Sequence, residues 1–394
     1  MALCYFHLSV IKSTVIMSTQ IPFDIQLLII ERLPIKSLLR FRSVCKPWKS
    51  FISSSQFIAG YTTHSQQHVI ISYKNHLDDQ FIKYVSVFDN DHETVALTAP
   101  PLVHGTRVLD CSHGLVCMID SFDQNYETQM AVIWNPAIKK SIAVAVPDAV
   151  DPLQQFWFGS VVGFGVCPAT MDPKLLKITF TKRVKKTQSI SCIPFQAMVF
   201  TLSSRQWRCL STNQLSRKSI LFDDACQTVI GQFIYLGGYD CSVLDDELRP
   251  LIMSFDLSTH EFAEVDIPSS LHYQYLNLSR LRESLVLLDI PTIHICHVWM
   301  MMDDGDSKAF TKLFTINRPN TCVWKILGFS ESGEPIIEWT RDKMCTTSGL
   351  AVYEPGLGDI KDLGIRGNQD SFYGSCYTES LLLLDDEDGR IIRC

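Results

Sequence analysis

Two patterns of hydrophobic and polar positions divide the chain near residue 60. Between residues 22 and 34, apolar positions recur every three or four residues, which predicts one face of an α-helix. These positions are Ile25, Leu28, Ile29 and Leu33. After residue 60, short apolar runs alternate with polar turn residues, which predicts β-strands. We therefore expect an extension or disordered segment at 1–19, a helical module at 20–60 and an all-β module at 61–394.

The helical module is expected to hold three helices. The first ends before Pro34, because the residue that precedes a proline is disfavoured in helical geometry. A second helix is predicted from residue 35 or 36 to residue 44, and a third begins at Lys46 with Pro47 near its first turn. The segment 53–57 has the composition of a polar break followed by a last half-turn.

This module carries more apolar surface than three short helices can bury by themselves. If the face that contains Ile25 packs inward, part of the remaining apolar surface stays uncovered. The uncovered residues would be Leu27 or Ile30, and part of Leu38, Leu39, Val44 and Trp48. Exposed apolar surface of this kind usually marks a partner site. Docking onto the chain's own β module is the alternative, and the residues alone leave both open.

The stretch "IPFDIQLLIIERLPIKSLLRFRSVCKPWKSFISSSQF" resembles an F-box, with Pro22 after an aliphatic residue and "LP" before "SLLRFRSVCKPW". Ile21 stands where the family often has leucine, a mild departure. The resemblance implies that this module binds the small Skp adaptor, which in turn joins a cullin scaffold. The residues it assigns to the adaptor contact are Ile21, Pro22, Ile25, Leu27, Leu28, Ile30, Leu33, Pro34, Leu38, Leu39, Val44, Cys45 and Trp48.

The β module contains six copies of a hairpin unit, each an apolar strand, a polar turn and a second strand. An aromatic residue occupies the same place in every copy. These aromatic residues are Phe88, Trp134, Phe200, Phe255, Trp299 and Tyr353. Most of their spacings are close to the length of a propeller blade, which is roughly 40–50 residues. The longest spacing, from Trp134 to Phe200, implies a long loop.

A second recurring unit, a turn residue followed by a compact apolar strand, is predicted to form the inner strand of each blade. The copies lie at 113–120, 161–166, 231–238, 283–290, 333–339 and 379–386. The strand at 380–384 has no hairpin after it, whereas the hairpin at 85–98 has no inner strand before it. Joining these ends, with strands from about Val69 completing the last blade, closes a six-bladed propeller without a free sheet edge. A β-sandwich or an irregular stack of sheets is the alternative.

Residues from about 110 to 365 resemble the F-box-associated domain of plants. The matching segments "CSHGLVCMI", "VIWNPAIKKS", "GFGVCPA" and "FDLSTHEFAEVDIP" occur in the expected order. Two departures are "VCPA" in place of the usual "YDP" and an unusually basic stretch at 182–192. The resemblance implies a kelch-like propeller that collects a substrate protein of unknown identity. The candidate contact loops are 121–129, 239–249 and 301–307.

Charge is distributed unevenly between the two modules. Residues 21–60 carry six basic and two acidic side chains, hence +4, and Lys12 adds +1. The total of −7 therefore leaves −12 for residues 61–394. This balance does not favour nucleic acid or acidic membranes as partners, and no apolar run is long enough to predict a membrane span. The basic module suits the Skp adaptor, which is acidic in this family.

The fourteen cysteines are scattered and form no C-x-x-C pair, which is typical of reduced thiols in the cytoplasm, the nucleus or both. The best local metal candidate, His294-x-Cys296-His297, lacks a second ligand pair at the usual spacing. Phosphate-binding and nucleophile-elbow motifs are absent, and the acidic runs at 303–306 and 385–389 do not have calcium-loop spacing. We therefore expect no catalytic residue, metal or cofactor.

The combined reading predicts a non-catalytic, substrate-recognition subunit of a Skp–cullin–F-box ubiquitin ligase. Such a subunit accelerates ubiquitin transfer by proximity, since it raises the effective concentration of the target near the ubiquitin-loaded enzyme. One alternative is a propeller enzyme, such as a glycosidase or lactonase, which needs carboxylates or histidines at the ring axis. Another is an F-box protein that pairs with the adaptor outside ubiquitination.

Overall fold

The computed structural model describes most of the chain, in segments separated by short gaps. The described residues are 21–61, 67–75, 78–88, 92–100, 105–120, 129–147, 157–184, 190–211, 220–240, 249–268, 271, 276–292, 294–303, 308–318, 321–341, 345–383 and 388–393. The statements below concern these residues.

Four helices occupy the described N-terminal part of the chain. They are α1 (Phe23–Ile30), α2 (Ile35–Phe41), α3 (Lys46–Ile52) and α4 (Ser55–Tyr61). Pro34 lies directly before α2, and Pro47 lies in the first turn of α3, as predicted. The predicted last half-turn is instead a full helix, because the Ser54 hydroxyl accepts a hydrogen bond from the Phe57 N–H at 3.2 Å and caps α4.

The strands of the described residues form six antiparallel blades around an axis. The first blade contains β1 (His68–Asn75), β2 (Asp78–Phe88) and β3 (Thr94–Leu97). The second blade contains β4 (Thr106–Ser112), β5 (Leu115–Asp120), β6 (Met130–Asn135) and β7 (Lys140–Ala145). The third blade contains β8 (Trp157–Cys167), β9 (Asp172–Val184), β10 (Ile190–Thr201) and β11 (Gln206–Leu210). The fourth blade contains β12 (Ile220–Ile230), β13 (Phe233–Asp240), β14 (Arg249–Asp256) and β15 (Phe262–Val265). The fifth blade contains β16 (Leu276–Leu281), β17 (Ser284–Thr292), β18 (Ile295–Asp303) and β19 (Lys308–Asn317). The sixth blade contains β20 (Cys322–Phe329), β21 (Pro335–Thr340), β22 (Thr347–Glu354) and β23 (Asp359–Asn368).

Two C-terminal strands complete the sheets. The first, β24 (Tyr373–Tyr377), is the innermost strand of the first blade and pairs with β1, with His68 opposite Tyr377. The second, β25 (Arg390–Ile392), adds a fifth, parallel strand to the outer edge of the second blade beside β7. Strands β24, β4, β8, β12, β16 and β20 contact one another in turn and surround the axis. The six-bladed propeller closed by N- and C-terminal strands is confirmed.

The strand that closes the ring differs from the prediction. The expected closing strand at 380–384 was wrong, since the described residues 378–383 form no strand and residue 384 is outside the described residues. Closure uses Tyr373–Tyr377 instead. The segment "YGSCY" is short and carries a glycine and a serine, so it lacks the apolar run by which inner strands were sought.

The predicted inner units occupy a different layer of the blades. Apart from 161–166, which lies in the innermost strand β8, the units that form strands are the second strands β5, β13, β17 and β21. The six aromatic residues of the hairpin units all lie on the third strand of their blade, as the repeat implied. The long spacing between Trp134 and Phe200 coincides with the long strands β9 and β10.

Adjacent blades pack through apolar side chains and close backbone contacts. The third and fourth blades share a buried cluster that includes Ile178, Ile234 and Met253. Glycines on β8 allow this close approach, because a Cβ at Gly165 would stand 2.7 Å from Leu257 Cδ1, and that side chain would have to move. The pair Gly163 and Gly165 therefore serves blade packing.

Candidate functional site

Exposed apolar side chains are concentrated in the helical module, most of them in α1. Six large apolar side chains between residues 21 and 44 each expose more than two fifths of their surface. They are Ile21 (44%), Phe23 (47%), Ile25 (45%), Leu28 (46%), Ile29 (47%) and Val44 (61%). We call these six residues the α1 face. Exposed apolar residues grouped in this way mark an interaction site.

The inner side of the helical module reverses the packing that the sequence suggested. Ile30 and Leu38 are 1% and 0% exposed, and they lie in one buried cluster with Ile35 and Ile52. Leu27, Leu33, Leu39 and Trp48 pack against this cluster and are partly buried. The expectation that Ile25, Leu28 and Ile29 face inward was therefore wrong. Ile30 and Leu38 were predicted as adaptor contacts, but the chain's own residues cover both of them.

The remaining predicted contacts lie on the outside of the module. Pro22, Pro34 and Cys45 are exposed, as is Val44 between α2 and α3. Phe23 belongs to the α1 face but was missed by sequence reasoning, because it lies two residues before Ile25, the first of the periodic positions. Its neighbour Pro22 marks the start of the helix and could have drawn attention to it.

Trp48 braces α1 against α2 and α3. Its indole N–H donates a hydrogen bond to Gln26 Oε1 at 3.1 Å, and its ring stacks on Phe41 with centroids 5.2 Å apart. The side chain is partly buried, so it both fixes the orientation of α1 and contributes to the surface beside the α1 face. Its role at the site is therefore partly structural.

Exposed basic side chains outnumber exposed acidic ones on the helical module. The exposed basic residues of the module are Arg32, Lys36, Arg40, Lys46 and Lys49, against the exposed acids Asp24 and Glu31. The exposed surface of the module accordingly combines apolar side chains with a net positive charge. Complementary charges of this kind increase association rates and exclude partners of like charge.

The propeller has two ends, and the helical module lies at one of them. Strands in an antiparallel blade are joined alternately at opposite ends of the sheet. The β4–β5 and β6–β7 turns share one end, and Ala137 and Ile138 of the second turn pack against the buried cluster of the helices. We call this end the proximal face. The opposite end, where the second strand of each blade connects to the third, is the distal face.

The described strand ends that flank the candidate contact loops lie at both faces. Strands β5 and β6, and likewise β13 and β14, are the second and third strands of their blades and meet at the distal face. Strands β18 and β19 are a third and a fourth strand and meet at the proximal face. The candidate loops were predicted at 121–129, 239–249 and 301–307, and their residues 121–128, 241–248 and 304–307 lie outside the described residues.

Polar side chains that sequence reasoning missed line the axis of the ring. Asp110 on β4 is 4% exposed and accepts hydrogen bonds from the Cys111 N–H at 2.7 Å and the Ser375 hydroxyl at 2.6 Å. Arg280 on β16 donates to the carbonyl oxygens of Cys376 and Val229. Burial raises the pKa of Asp110 to about 6. The space among these groups is about 20 Å³, enough for about one water molecule.

These axial contacts join blades rather than prepare a substrate site. Ser375 and Cys376 belong to the closing strand β24, so Asp110 ties that strand to the adjacent β4, and Arg280 ties it to β16, which is two strands away around the ring. At the distal end of the axis, the Tyr373 ring lies between the Arg107 guanidinium at 4.5 Å and the Lys325 ammonium at 4.3 Å. Cation–π contacts from two blades therefore hold the first residue of β24.

Glu338 lies fully buried in β21, near the contacts that hold the closing strand β24. Its Oε1 accepts a hydrogen bond from the Asp370 N–H at 2.7 Å, three residues before β24. Burial raises the pKa of this carboxyl from 4.5 to about 7. The folded state therefore holds the Glu338 proton more tightly than the unfolded chain does. This contribution stabilises the fold below about pH 4.5 and is lost as the pH rises through about 7.

Replacing Glu338 by glutamine is expected to remove this pH dependence. Relative to Glu338→Gln, the wild-type protein should lose on the order of 1–3 kcal/mol of unfolding free energy between about pH 5 and about pH 8. Urea unfolding of both proteins across that range measures the difference. Two curves that run parallel over the whole range would contradict the prediction.

The described residues contain neither a membrane-spanning helix nor a cluster of metal ligands. Within these residues, the helices are too short or too polar to cross a membrane. The same part of the chain brings no three His, Cys, Asp or Glu side chains together in a way that could hold a metal ion.

The chain matches two known domain families, one for each module. Residues 19–59 match the F-box domain, and residues 56–385 match the F-box associated beta propeller domain. The F-box protein At5g18160 of Arabidopsis thaliana is 25% identical over 360 residues, which cover 90% of this chain and 84% of the relative. The F-box/kelch-repeat protein At3g23880 of the same organism is 24% identical, over 86% of this chain and 88% of its own length.

Solved structures show a weaker likeness. A crystal structure of a protein from Lactobacillus plantarum covers 79% of this chain and 99% of its own, at 11% identity and a TM-score of 0.38. A likeness at that level carries no argument about this chain. The domain matches and the two Arabidopsis relatives agree with the helical module and the propeller described above. The chain therefore belongs to the plant F-box proteins that carry an F-box associated β-propeller domain.

Proposed function

We propose that this protein is the substrate-recognition subunit of a Skp–cullin–F-box ubiquitin ligase. The F-box would bind the Skp adaptor, the adaptor would join the cullin, and the propeller would hold a target protein. Both domains are typical of non-enzymatic adaptor proteins. The proposal places the protein in the cytoplasm, the nucleus or both, and it requires neither nucleic acid nor a membrane as a partner.

The α1 face is the observation that carries the proposal. Its six apolar residues remain exposed although the F-box already has a buried cluster of its own, so they are available to a second polypeptide. The exposed basic residues of the helical module suit an acidic partner, because opposite charges steer the encounter and fix the orientation of docking. A partner that covers this face would bury apolar surface, the main driving force of association.

Reconstitution of the complex tests the proposal directly. Purified full-length chain is mixed with a Skp adaptor alone, and then with adaptor and cullin, and the mixtures are separated by size-exclusion chromatography. We expect a binary complex in the first case and a ternary complex in the second. A stable binary complex without a ternary one would favour an F-box protein acting outside ubiquitination. Absence of the binary complex would contradict the proposal.

Trp48→Ala is expected to weaken adaptor binding by more than about 1 kcal/mol, the effect of an interface anchor. The loss has two physical causes, because the indole both contributes surface and holds Gln26 of α1. Trp48→Phe is the matched control, since it can keep the stack on Phe41 but cannot donate to Gln26. Calorimetric titration with the adaptor measures both variants, and circular dichroism checks that the helices remain. Unchanged affinity of Trp48→Ala with intact helices would refute the prediction.

The distal face is the proposed site for the target protein. The F-box lies on the proximal face, so a target on the distal face would not compete with the adaptor for space. The described ends of strands β5, β6, β13 and β14 lie at this face, and segments positioned by a rigid scaffold commonly carry binding residues. Affinity purification from plant extract under proteasome inhibition would identify the target.

A further inference from the structure

We propose that the chain beyond the closing strand is a positioning element that fixes the F-box at one orientation on the propeller. We call residues 378–383 and 388–392 the C-terminal strap. This inference rests on the proposed function, because the orientation matters only if the F-box holds an adaptor and the propeller a target. The domain matches assign no role to the strap, whose residues 378–383 are among the last of the matched propeller domain and whose residues 388–392 lie beyond it.

The strap is anchored to the second blade along its length. The Asn135 side chain is fully buried, and its Nδ2 donates to the carbonyl oxygens of Ser380 at 2.9 Å and Leu382 at 2.8 Å. Farther along, Asp388 Oδ1 accepts a hydrogen bond from the Ser141 N–H at 2.9 Å. Strand β25 then pairs with β7 at the outer edge of the blade. The strap therefore crosses the proximal face of this blade from the axis to the rim.

Close approach of the strap depends on a glycine in the β4–β5 turn. Gly114 has a φ of +74°, a left-handed conformation that favours glycine, and a Cβ there would overlap the Ser380 side chain. The strap therefore packs directly against the backbone of the turn. Close packing of this kind leaves little room for the strap to shift.

Successive leucines of the strap face opposite modules. Leu381 is fully buried and lies in the F-box cluster with Ile30, Leu38 and Ile52. Leu382 and Leu383 are 8% and 5% exposed and lie in the cluster of the second and third blades. One short segment thus contributes to the cores of both domains. A buried side chain shared between two bodies restricts their relative rotation, because any rotation would open a cavity.

The first test cuts the chain between the two domains, without changing either core, and asks whether they stay associated. A protease recognition site replaces residues 62–66, the connection between α4 and β1, and the full chain is cleaved after folding. We expect the F-box fragment to co-elute with the propeller on size-exclusion chromatography. Separation of the wild-type fragments would overturn the proposal. Leu381→Asp in the same cleavable chain should release the fragment, whereas Leu357→Asp, at a side chain 80% exposed on the propeller, should not.

The second test measures orientation in the uncut chain. Spin labels are attached through non-natural amino acids at Lys49 and Leu357, both exposed, because fourteen cysteines exclude thiol labelling. We expect a narrow distance distribution in the wild-type protein and at least a twofold broader one in Leu381→Asp. The milder Leu381→Ala, checked for an intact propeller by its melting curve, should lie between them.

The outcomes distinguish this inference from the proposed function. A distribution that stays narrow in Leu381→Asp would overturn the positioning role, whatever the adaptor affinity. A wild-type chain that fails to bind the adaptor would contradict the proposed function. The strap would still fix the orientation of the two domains in that case. A strap with a merely structural role would lower the melting temperature of the variants without broadening the distances.

Discussion

Aspartate at Leu28 and Ile29 together is expected to reduce binding of the Skp adaptor at least 100-fold, which corresponds to about 2.8 kcal/mol of binding free energy. These side chains expose 46% and 47% of their surface and project from the α1 face. In a complex they would become buried, and an unpaired carboxylate in an apolar interface is costly. Calorimetric titration of the purified variant with the adaptor measures the loss.

The stability of the free protein should hardly change in this double variant, because both side chains already contact water. Leu357→Asp is the matched control, an equally conspicuous apolar residue on the propeller, and it should bind the adaptor normally. If the double variant bound with wild-type affinity, the adaptor would not use the α1 face. Placing aspartate at Leu38 would be uninformative, since that side chain is fully buried and its replacement disrupts the F-box itself.

Truncation immediately before Tyr373 is expected to unfold the propeller. The truncated chain lacks β24, which leaves β1 as an open sheet edge at the axis and removes the Ser375 hydroxyl that donates to Asp110. Domains are stable by only about 5–15 kcal/mol, so the loss of a central strand exceeds what most can tolerate. Loss of the cooperative melting transition, or of soluble expression, is the expected readout.

A chain that ends at residue 379 is the control for this truncation. It keeps β24 and therefore a closed ring, but it loses most of the C-terminal strap. We expect a lower melting temperature with a transition that remains cooperative. Equal behaviour of the two truncated chains would contradict the assignment of β24 as the closing strand.

The sequence predicted the existence of the helical module better than its packing. Pro34 and Pro47 punctuate the helices as expected, because proline acts locally on the backbone. The inward face of α1 was misassigned, since most residues in "FDIQLLII" are apolar and more than one face fits a helical period. Tertiary contacts with Ile35, Leu38 and Ile52 decide which face is buried.

The propeller could be predicted from its repeat, but the layer of each strand could not. Compact apolar strands such as Leu115–Asp120 are buried on both faces because they are the second strands of their blades. The innermost strands carry polar residues such as Asp110 and Arg280, which hydrogen-bond to the closing strand β24 and so interrupt the apolar pattern. A search for apolar runs therefore found the neighbouring strand, and it missed the polar residues of the axis.

The pairing of β1 with β24 sets a demand on synthesis of this protein. Ser72 and Tyr373, which face each other in this sheet, are 301 residues apart in the sequence. On the ribosome, the first β-hairpin therefore stays unpaired on one side until residues 373–377 have been translated. Folding that depends on such distant contacts is slow and exposes strands that can aggregate. We therefore expect nascent chains to need chaperones, and premature termination to yield aggregates rather than shorter propellers.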